Sequence, residues 1–205
     1  MREPCVLTVM VKAPVCGSVK TRLGREIGAV AALALYRTLT EGLLRQVSRD
    51  RRWRTVLAVT PPAAVAHRFA CWRWVANDRI AQVRGGLGHR MRSILDGNGR
   101  HGIVVGSDIP FVKAANVAEA FMLLRRSGAV FGPAEDGGYW LVGLGPRARA
   151  LRPFDKVRWS TANALTDTLS ALGGGPVAFA RTLFDVDTAS DYRRLLRRRL
   201  AGTLR

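Results

Sequence analysis

Val6-Leu7-Thr8-Val9-Met10-Val11, followed by Lys12-Ala13-Pro14-Val15-Cys16-Gly17-Ser18-Val19-Lys20-Thr21-Arg22-Leu23, is the stretch on which the reading of this chain turns. Six mostly β-branched or apolar residues in a row predict a buried first strand. The chain then leaves that strand through a loop containing Pro14 and Gly17 and presents Lys12, Lys20 and Arg22 close together. In open α/β sheets, a loop at the carboxyl end of the first strand is where ligands bind. Backbone N–H groups freed by a glycine-containing turn, with two or three cations beside them, suit an anionic oligophosphate; a solvated basic turn would have the same composition. The loop carries neither the Gly-x-x-x-x-Gly-Lys-Ser/Thr pattern nor Gly-x-Gly-x-x-Gly.

Composition narrows the class. The chain has 205 residues, 48% of them apolar, and a mean hydropathy of +0.03. That fits one domain with a real core, over residues 1–205. Apolar stretches such as residues 27–36 fall short of the ~20 residues that a membrane span needs. The amino terminus leads into a strand and lacks the pattern of a signal peptide, so a cytoplasmic location is expected. Cys5, Cys16 and Cys71 are scattered and odd in number, which argues against a disulfide framework and against zinc. The formal charge is +18. Such a balance raises nucleic-acid binding, yet no zinc-finger spacing, aromatic-rich RNA-binding strand or helix-turn-helix is visible. Lysine occurs only at 12, 20, 113 and 156. The Arg-Ala-Gly richness reads as a coding bias, and the run from Arg193 to Arg199 as a solvated helix face.

Strand and helix signals alternate along the chain. Helices are expected at 27–47, 63–74, 87–95, 114–126, 160–172 and 189–200. Strands are expected at 53–60, 79–83, 102–106, 129–131, 139–144 and 177–181. The pattern predicts an α/β fold: a three-layer α/β/α sandwich on a mostly parallel, mixed sheet, with the mixed edge around 129–144. No linker, repeat or composition break divides it.

Four further segments could carry chemistry. Gly106-Ser107-Asp108-Ile109-Pro110 ends the strongest central strand, placing Asp108 on the rim of the Lys20 loop or, alternatively, as a helix cap. In Asp185-Val186-Asp187-Thr188, residues i and i+2 of an extended chain point to one side. Two carboxylates could thus meet one hard cation such as Mg²⁺ or Mn²⁺, with Val186 turned into the core. Thr188 and Asp191 form a capping-box variant compatible with that role. Gly132-Pro-Ala-Glu-Asp-Gly-Gly-Tyr-Trp-Leu141 is a turn longer than a hairpin requires, with Glu135 or Asp136 available as base or water ligand. Gln82-Val-Arg-Gly-Gly-Leu-Gly-His-Arg-Met91 opens a helix beside Arg84, His89 and Arg90, a potential anion contact. Trp159 either stacks on a base or sugar or belongs to the core.

These segments, in this order, resemble the GT-A-like transferase family often called radical-SAM/selenodomain-associated transferase 1. The matching residues are Lys12, Pro14, Gly17 and Val19-Lys20-Thr21-Arg22-Leu23, then Gln82, Gly85, Leu87-Gly88 and Arg90-Met91. Gly106-Ser107-Asp108, Pro110, Gly132-Pro133-Ala134, Asp136-Gly137-Gly138-Tyr139, Trp159-Ser160-Thr161 and Asp185-Val186-Asp187-Thr188 complete the series. Gly86 stands where the family pattern has Asp, and Trp140 where a second Tyr is usual. The chain is more distantly similar to 2-phospholactate and molybdenum-cofactor guanylyltransferases. That resemblance implies Lys20 and Arg22 as phosphate ligands and Asp108, Asp185 and Asp187 as metal ligands. Lys20, Asp108 and Asp136 are the expected catalytic residues, and Lys12, Gly17, Lys20, Thr21, Arg22, Gly85, Arg90 and Ser107 the expected nucleotide contacts.

The expected activity is Mg²⁺- (or Mn²⁺-) dependent transfer of a nucleotide from a nucleoside triphosphate to a small acceptor bearing phosphate or phosphonate, with release of pyrophosphate. The alternative is a GT-A glycosyltransferase with a nucleotide-sugar donor. A basic nucleic-acid-binding domain is the remote third, because acids clustered at a sheet edge repel phosphate.

Overall fold

The computed structural model describes residues 5–75 and 77–203, with the side chains of 199–203 outside the description. Residues 1–4, read above as the lead into the first strand, and the Arg199 side chain of the basic run therefore lie outside the described residues. Seven strands form one sheet: β1 (Val6–Lys12), β2 (Arg54–Thr60), β3 (Arg79–Ala81), β4 (Gly102–Gly106), β5 (Ala129–Pro133), β6 (Tyr139–Leu144) and β7 (Ala178–Phe179). Their order is β3-β2-β1-β4-β6-β5-β7. β1 pairs parallel with both β2 and β4, β2 with β3, and β5 with β7. Only β6 runs the other way, antiparallel to β4 and β5; the mixed part of the sheet falls around 129–144 as expected, but inside the sheet rather than at its edge, since β5 and β7 lie beyond β6.

Side-chain alternation sorts the core into two faces. On β1 and β4, Leu7, Val9, Val11, Ile103 and Val105 pack with Leu43, Leu44, Val117 and Phe121. These come from α2 (Ala29–Val47) and α4 (Ala114–Ser127). Val104, Ala58, Phe131 and Val142 face the opposite side, against Met91, Ile94 and Leu95 of α3 (Leu87–Gly97). Helices thus cover both faces, giving the three layers. On that second face, buried Thr8 exchanges hydrogen bonds of 3.1 and 2.9 Å with the amide of Asn98, which ends α3.

Three expectations about elements need correction, and one element was not expected. The helix expected at 27–47 begins earlier and breaks: α1 (Thr21–Ile27) is separated from α2 by Gly28, whose φ of 88° lies outside helical geometry. Residues 63–74 are two single 3₁₀ turns, Pro62–Ala64 and Ala70–Trp72, because tertiary packing of Trp72 and Cys71 outweighs local propensity. The helix expected at 160–172 is α6 (Ala164–Ala171), entered after Ser160 at φ 61° and without a side-chain cap. A short α5 (Pro146–Ala150) was not foreseen. The last helix, α7 (Ala189–Thr203), lies where expected.

Candidate active site at the carboxyl rim of the sheet

The chain runs from β1 outward through β2 and β3, then returns to place β4 on the other side of β1. The carboxyl ends of β1 and β4 therefore diverge at a topological switch point, the crevice where open α/β sheets bind ligands. Because β1, β4, β5 and β7 run in parallel, the loops after all four open onto one rim. Antiparallel β6 begins on that same rim, which brings in the 134–138 turn.

Lys20 is the centre of this rim. Its Nζ lies 2.6 Å from Oδ2 of Asp108 and 2.8 Å from Oδ1 of Asp187. The lysine side chain is 3% exposed, the two aspartates 34% and 41%. Three segments far apart in sequence thus meet in one ion-pair bridge. Burial by itself weakens the ammonium's hold on its proton, but the adjacent carboxylates of Asp108 and Asp187 outweigh this, and the lysine is held charged well above its ordinary range. Lys20 also adopts φ 47°, a left-handed backbone that a non-glycine residue occupies at a cost of about 1–2 kcal/mol. Strain of this kind collects at functional sites.

The second strand-end acid pair is built by alternation. Phe184 and Val186 are 3% and 0% exposed and join Leu23, Leu35, Leu39 and Leu195 in a third core cluster between α1, α2 and α7. With those two side chains turned inward, Asp185 and Asp187 face the rim. The capping arrangement expected at 188–191 is present. Asp191 Oδ2 accepts the Thr188 N–H at 2.9 Å and the Asp187 N–H at 3.2 Å, and Thr188 Oγ1 accepts the Asp191 N–H at 3.2 Å. The carboxyl of Asp185 is pushed up to about 6, first by burial and then by the negative charges of Asp187 and Asp136, against the pull of Lys20. Asp108 and Asp187 thus pair with the buried ammonium, and Asp185 feels both that ammonium and the charges of Asp187 and Asp136. Among the described residues no three acid, histidine or cysteine side chains stand as a preformed metal cage. The place between Asp108 and Asp187 is held by Lys20.

The 134–138 turn is held from two sides. Asp136 Oδ1 accepts the Gly138 N–H at 2.9 Å, and the Gly137 carbonyl accepts the Leu165 N–H at 3.0 Å. Gly137 has φ 86°, and a Cβ there would sit 2.1 Å from the Ala162 carbonyl oxygen, so the turn requires glycine. Glu135, considered beside Asp136 as a base, is clasped by both terminal nitrogens of Arg194, which hold its carboxyl below the usual range. Asp136 is left as the acid of this turn that faces the cluster.

The remaining expected contacts flank the same rim. Lys12 ends β1 with its side chain exposed, and Gly17 turns the loop at φ 74°. The loop is tied down by Arg37, which donates to the Pro14 carbonyl at 3.1 Å, and by the Ala13 N–H on the Thr60 carbonyl at 2.8 Å. Thr21 and Arg22 lie at the start of α1, Thr21 exposed and Arg22 exposed beside it. Gly85 has φ 123°, and its carbonyl accepts from Arg90 Nε at 2.8 Å. Gly88 serves packing, since a Cβ there would lie 2.7 Å from the Phe154 carbonyl oxygen and 3.0 Å from Trp159. Trp159 itself is partly buried against the second core face, near Phe154 and Tyr139, which is the core outcome.

One residue escaped the sequence reading. Tyr36, counted only among the apolar positions of a helix, is buried with its hydroxyl in the site's frame. It donates to the Lys12 carbonyl and accepts the Lys12 N–H, both at 2.9 Å, and lies 3.3 Å from Ser107 Oγ. Tyr36 therefore pins the end of β1 to the end of β4. A tyrosine at a helical core position signals a polar partner only once the facing loops are known.

Sheet order and rim define a GT-A-like α/β fold, the architecture of nucleotide-diphospho-sugar transferases. The chain belongs to the bacterial family described as "Uncharacterized protein conserved in bacteria (DUF2064)", which matches residues 43–161. A crystal structure from Desulfovibrio desulfuricans G20, of a candidate nucleotide-diphospho-sugar transferase, is 32% identical. It superposes with a TM-score of 0.83 over 95% of this chain and 87% of that one. 2-C-methyl-D-erythritol 4-phosphate cytidylyltransferase from Thermus thermophilus shares the fold at 18% identity and a TM-score of 0.53, over 93% and 95% of the two chains. Glucosyl-3-phosphoglycerate synthase from Mycobacterium tuberculosis, in complex with Mn²⁺, UDP and glucosyl-3-phosphoglycerate, shares it at 11% identity and a TM-score of 0.52, over 98% and 78%. No curated protein matches the sequence.

Proposed function

We propose that this protein is a nucleotide-dependent transferase that joins an NTP-derived nucleotide to a small acceptor bearing phosphate or phosphonate and releases pyrophosphate. One observation carries the reading: the Lys20 bridge to Asp108 and Asp187, with Asp185 and Asp136 coupled to it, at the switch point beside a cation-bearing loop. The order of motifs supports a closer place among the radical-SAM/selenodomain-associated transferases. A fold-mate that cytidylates a sugar-alcohol phosphate supports the acceptor class by analogy.

The donors present fit a hard divalent cation. They are carboxylate oxygens gathered on one rim, although Lys20 stands between Asp108 and Asp187 and, among the described residues, no three such side chains form a ready-made site. Asp108, Asp185 and Asp187 would hold Mg²⁺ or Mn²⁺, which when bound would neutralise charge on the reacting phosphates. The chain's own residues do the rest. Lys12, Lys20, Arg22 and the loop around Gly17 draw in the triphosphate by charge. Tyr36 and Ser107 hold the two loops at a fixed distance, so the bound phosphates meet a preorganised rim. An acceptor oxygen then attacks the α-phosphorus in line as the bond to the β-phosphate oxygen breaks, and pyrophosphate leaves with that electron pair.

A second reading is favoured by the description of the 32%-identical relative as a candidate nucleotide-diphospho-sugar transferase. In that reading a nucleotide sugar is the donor and Asp136 is the base for an acceptor hydroxyl, since Glu135 is committed to Arg194. The leaving product separates the two. Pyrophosphate from one of the four NTPs supports nucleotidyl transfer, a nucleoside diphosphate from a sugar donor supports glycosyl transfer, and neither product with any donor rejects both. Replacing Asp108 by Ala is expected to lower turnover by about 10²-fold or more with an unchanged circular-dichroism spectrum. Full turnover in that variant would remove Asp108 from the site.

A further inference from the structure

The end of the sheet opposite the acidic rim carries a concavity of its own. There β5 and β7 begin and β6 ends, so the length of the strands holds it about 15–20 Å from the rim. It is an open groove of about 870 Å³, within the range of small-molecule sites. Part of its lining is bare backbone. Gly128 ends α4 at φ 77°, its carbonyl accepts the Gly145 N–H at 2.7 Å, and a Cβ on Gly145 would lie 3.0 Å from that same oxygen. Two glycines thus leave space unfilled between α4, α5 and the segment before β7. Buried Leu124 and Leu172 line the groove, and Leu151, also lining it, is 54% exposed.

The charge of the groove has one sign. Arg100, His101, Arg125, Arg126 and Arg147 line it, and no Asp or Glu is among the described residues that do. Arg126 and Arg147 are exposed and form no ion pair with a described carboxylate. Arg125 donates one N–H to Cys5 Sγ at 3.1 Å and is likewise without a described carboxylate. Cations gathered in this way repel one another, and a bound anion removes that repulsion. A phosphate monoester, close to doubly charged at neutral pH, matches two guanidinium forks better than a carboxylate does. No aromatic ring lines the groove to stack a base, which sets a nucleic-acid strand aside.

We propose that this groove is a second binding site, separate from the acidic rim, for an organic phosphate monoester with an apolar body. Arg125, Arg126 and Arg147 take the phosphate, and Leu151 with the apolar lining takes the body. The inference stands independently of the transferase reading.

The test is a series of amide ¹⁵N–¹H correlation spectra of the full chain, titrated separately with hexyl phosphate, inorganic phosphate and hexanol. Hexyl phosphate is expected to shift the amides of Gly128, Ala129 and Gly145 saturably, at about tenfold or more lower concentration than either of the other two. Arg126→Gln combined with Arg147→Gln should weaken that binding about tenfold or more, and Leu151→Ser about threefold or more. All three side chains are exposed, so both variants should keep the wild-type melting temperature. Shifts confined to the amides around Gly17 and Ser107 would place the ester at the acidic rim and overturn the second site. Inorganic phosphate or hexanol binding as tightly as the ester, or an arginine double variant with wild-type affinity, would overturn it as well. Broadening of the groove amides with protein concentration, in place of titration by the ester, would make the groove a contact between copies and overturn it too. Each of these outcomes leaves the transferase reading standing.

Discussion

At the scale of single residues, the site is a charge balance that pH can tip. The raised carboxyl of Asp185 holds its proton more tightly in the folded chain than in the unfolded one. Its contribution to stability is therefore fully present below the unfolded value of 3.8 and is lost as pH rises through about 6. The same deprotonation frees the carboxylate for a cation. Stabilisation of the protein by Mn²⁺ plus tripolyphosphate, read as the rise in melting temperature, is expected to be small at about pH 5 and larger at about pH 7.5, on either side of that titration. An equal rise at both would take Asp185 out of the proposed metal site. Gly86 offers a second check. A Cβ built there meets nothing within 4 Å, so steric crowding does not explain the missing carboxylate of the family pattern. Gly86→Asp is expected to change stability by no more than about 0.5 kcal/mol in urea titration. Lys20, Asp108, Asp185 and Asp187 stand out in the sequence as residue types, but a solvated turn and helix caps would use the same types, so the sequence leaves their role open. That Lys20 would be buried between two of these acids was not legible, since ion pairing between positions 20, 108 and 187 is decided by the chain's path.

Between elements, two contacts set the shape of the rim. Tyr36 of α2 ties the end of β1 to the end of β4, and Tyr36→Phe deletes that tie while keeping the ring. The expected loss is about 1–3 kcal/mol in chemical denaturation, together with weaker nucleotide binding. Stability lost without any change in binding would make Tyr36 a packing residue alone. Gly137 keeps the acidic turn against the segment before α6. Gly137→Ala combines a positive φ with a clash at the Ala162 carbonyl and should cost about 2–4 kcal/mol. The strands were legible almost to the residue at 102–106 and 139–144, where glycines and apolar runs leave little choice. The stretches at 63–74 and 160–163 were misjudged as helix. There, aromatic packing around Trp72 and the left-handed Ser160 override an intrinsic preference worth only tenths of a kcal/mol per residue.

Across the whole molecule, the formal charge of +18 sets cations against one another, while four of the acids, Asp108, Asp136, Asp185 and Asp187, lie at one rim. Salt screens that repulsion. The melting temperature of the metal-free protein is expected to rise between about 20 and about 300 mM NaCl, a span that takes the Debye length from well above to below the spacing of surface charges. A fall would show that ion pairs such as Arg158–Asp167 and Arg73–Glu41 outweigh the net repulsion. The sequence by itself determined the α/β class and a mostly parallel sheet that turns mixed around 129–144. Those follow from short-range periodicity and turn chemistry, which are written locally. Tertiary structure alone decided that β4 returns beside β1, that Tyr36 clamps the two loops, that Glu135 is spent on Arg194, and that Lys20 closes on Asp108 and Asp187. Each of these is a meeting of residues distant in the chain, and only the packed core, by fixing where every strand ends, brings them within reach.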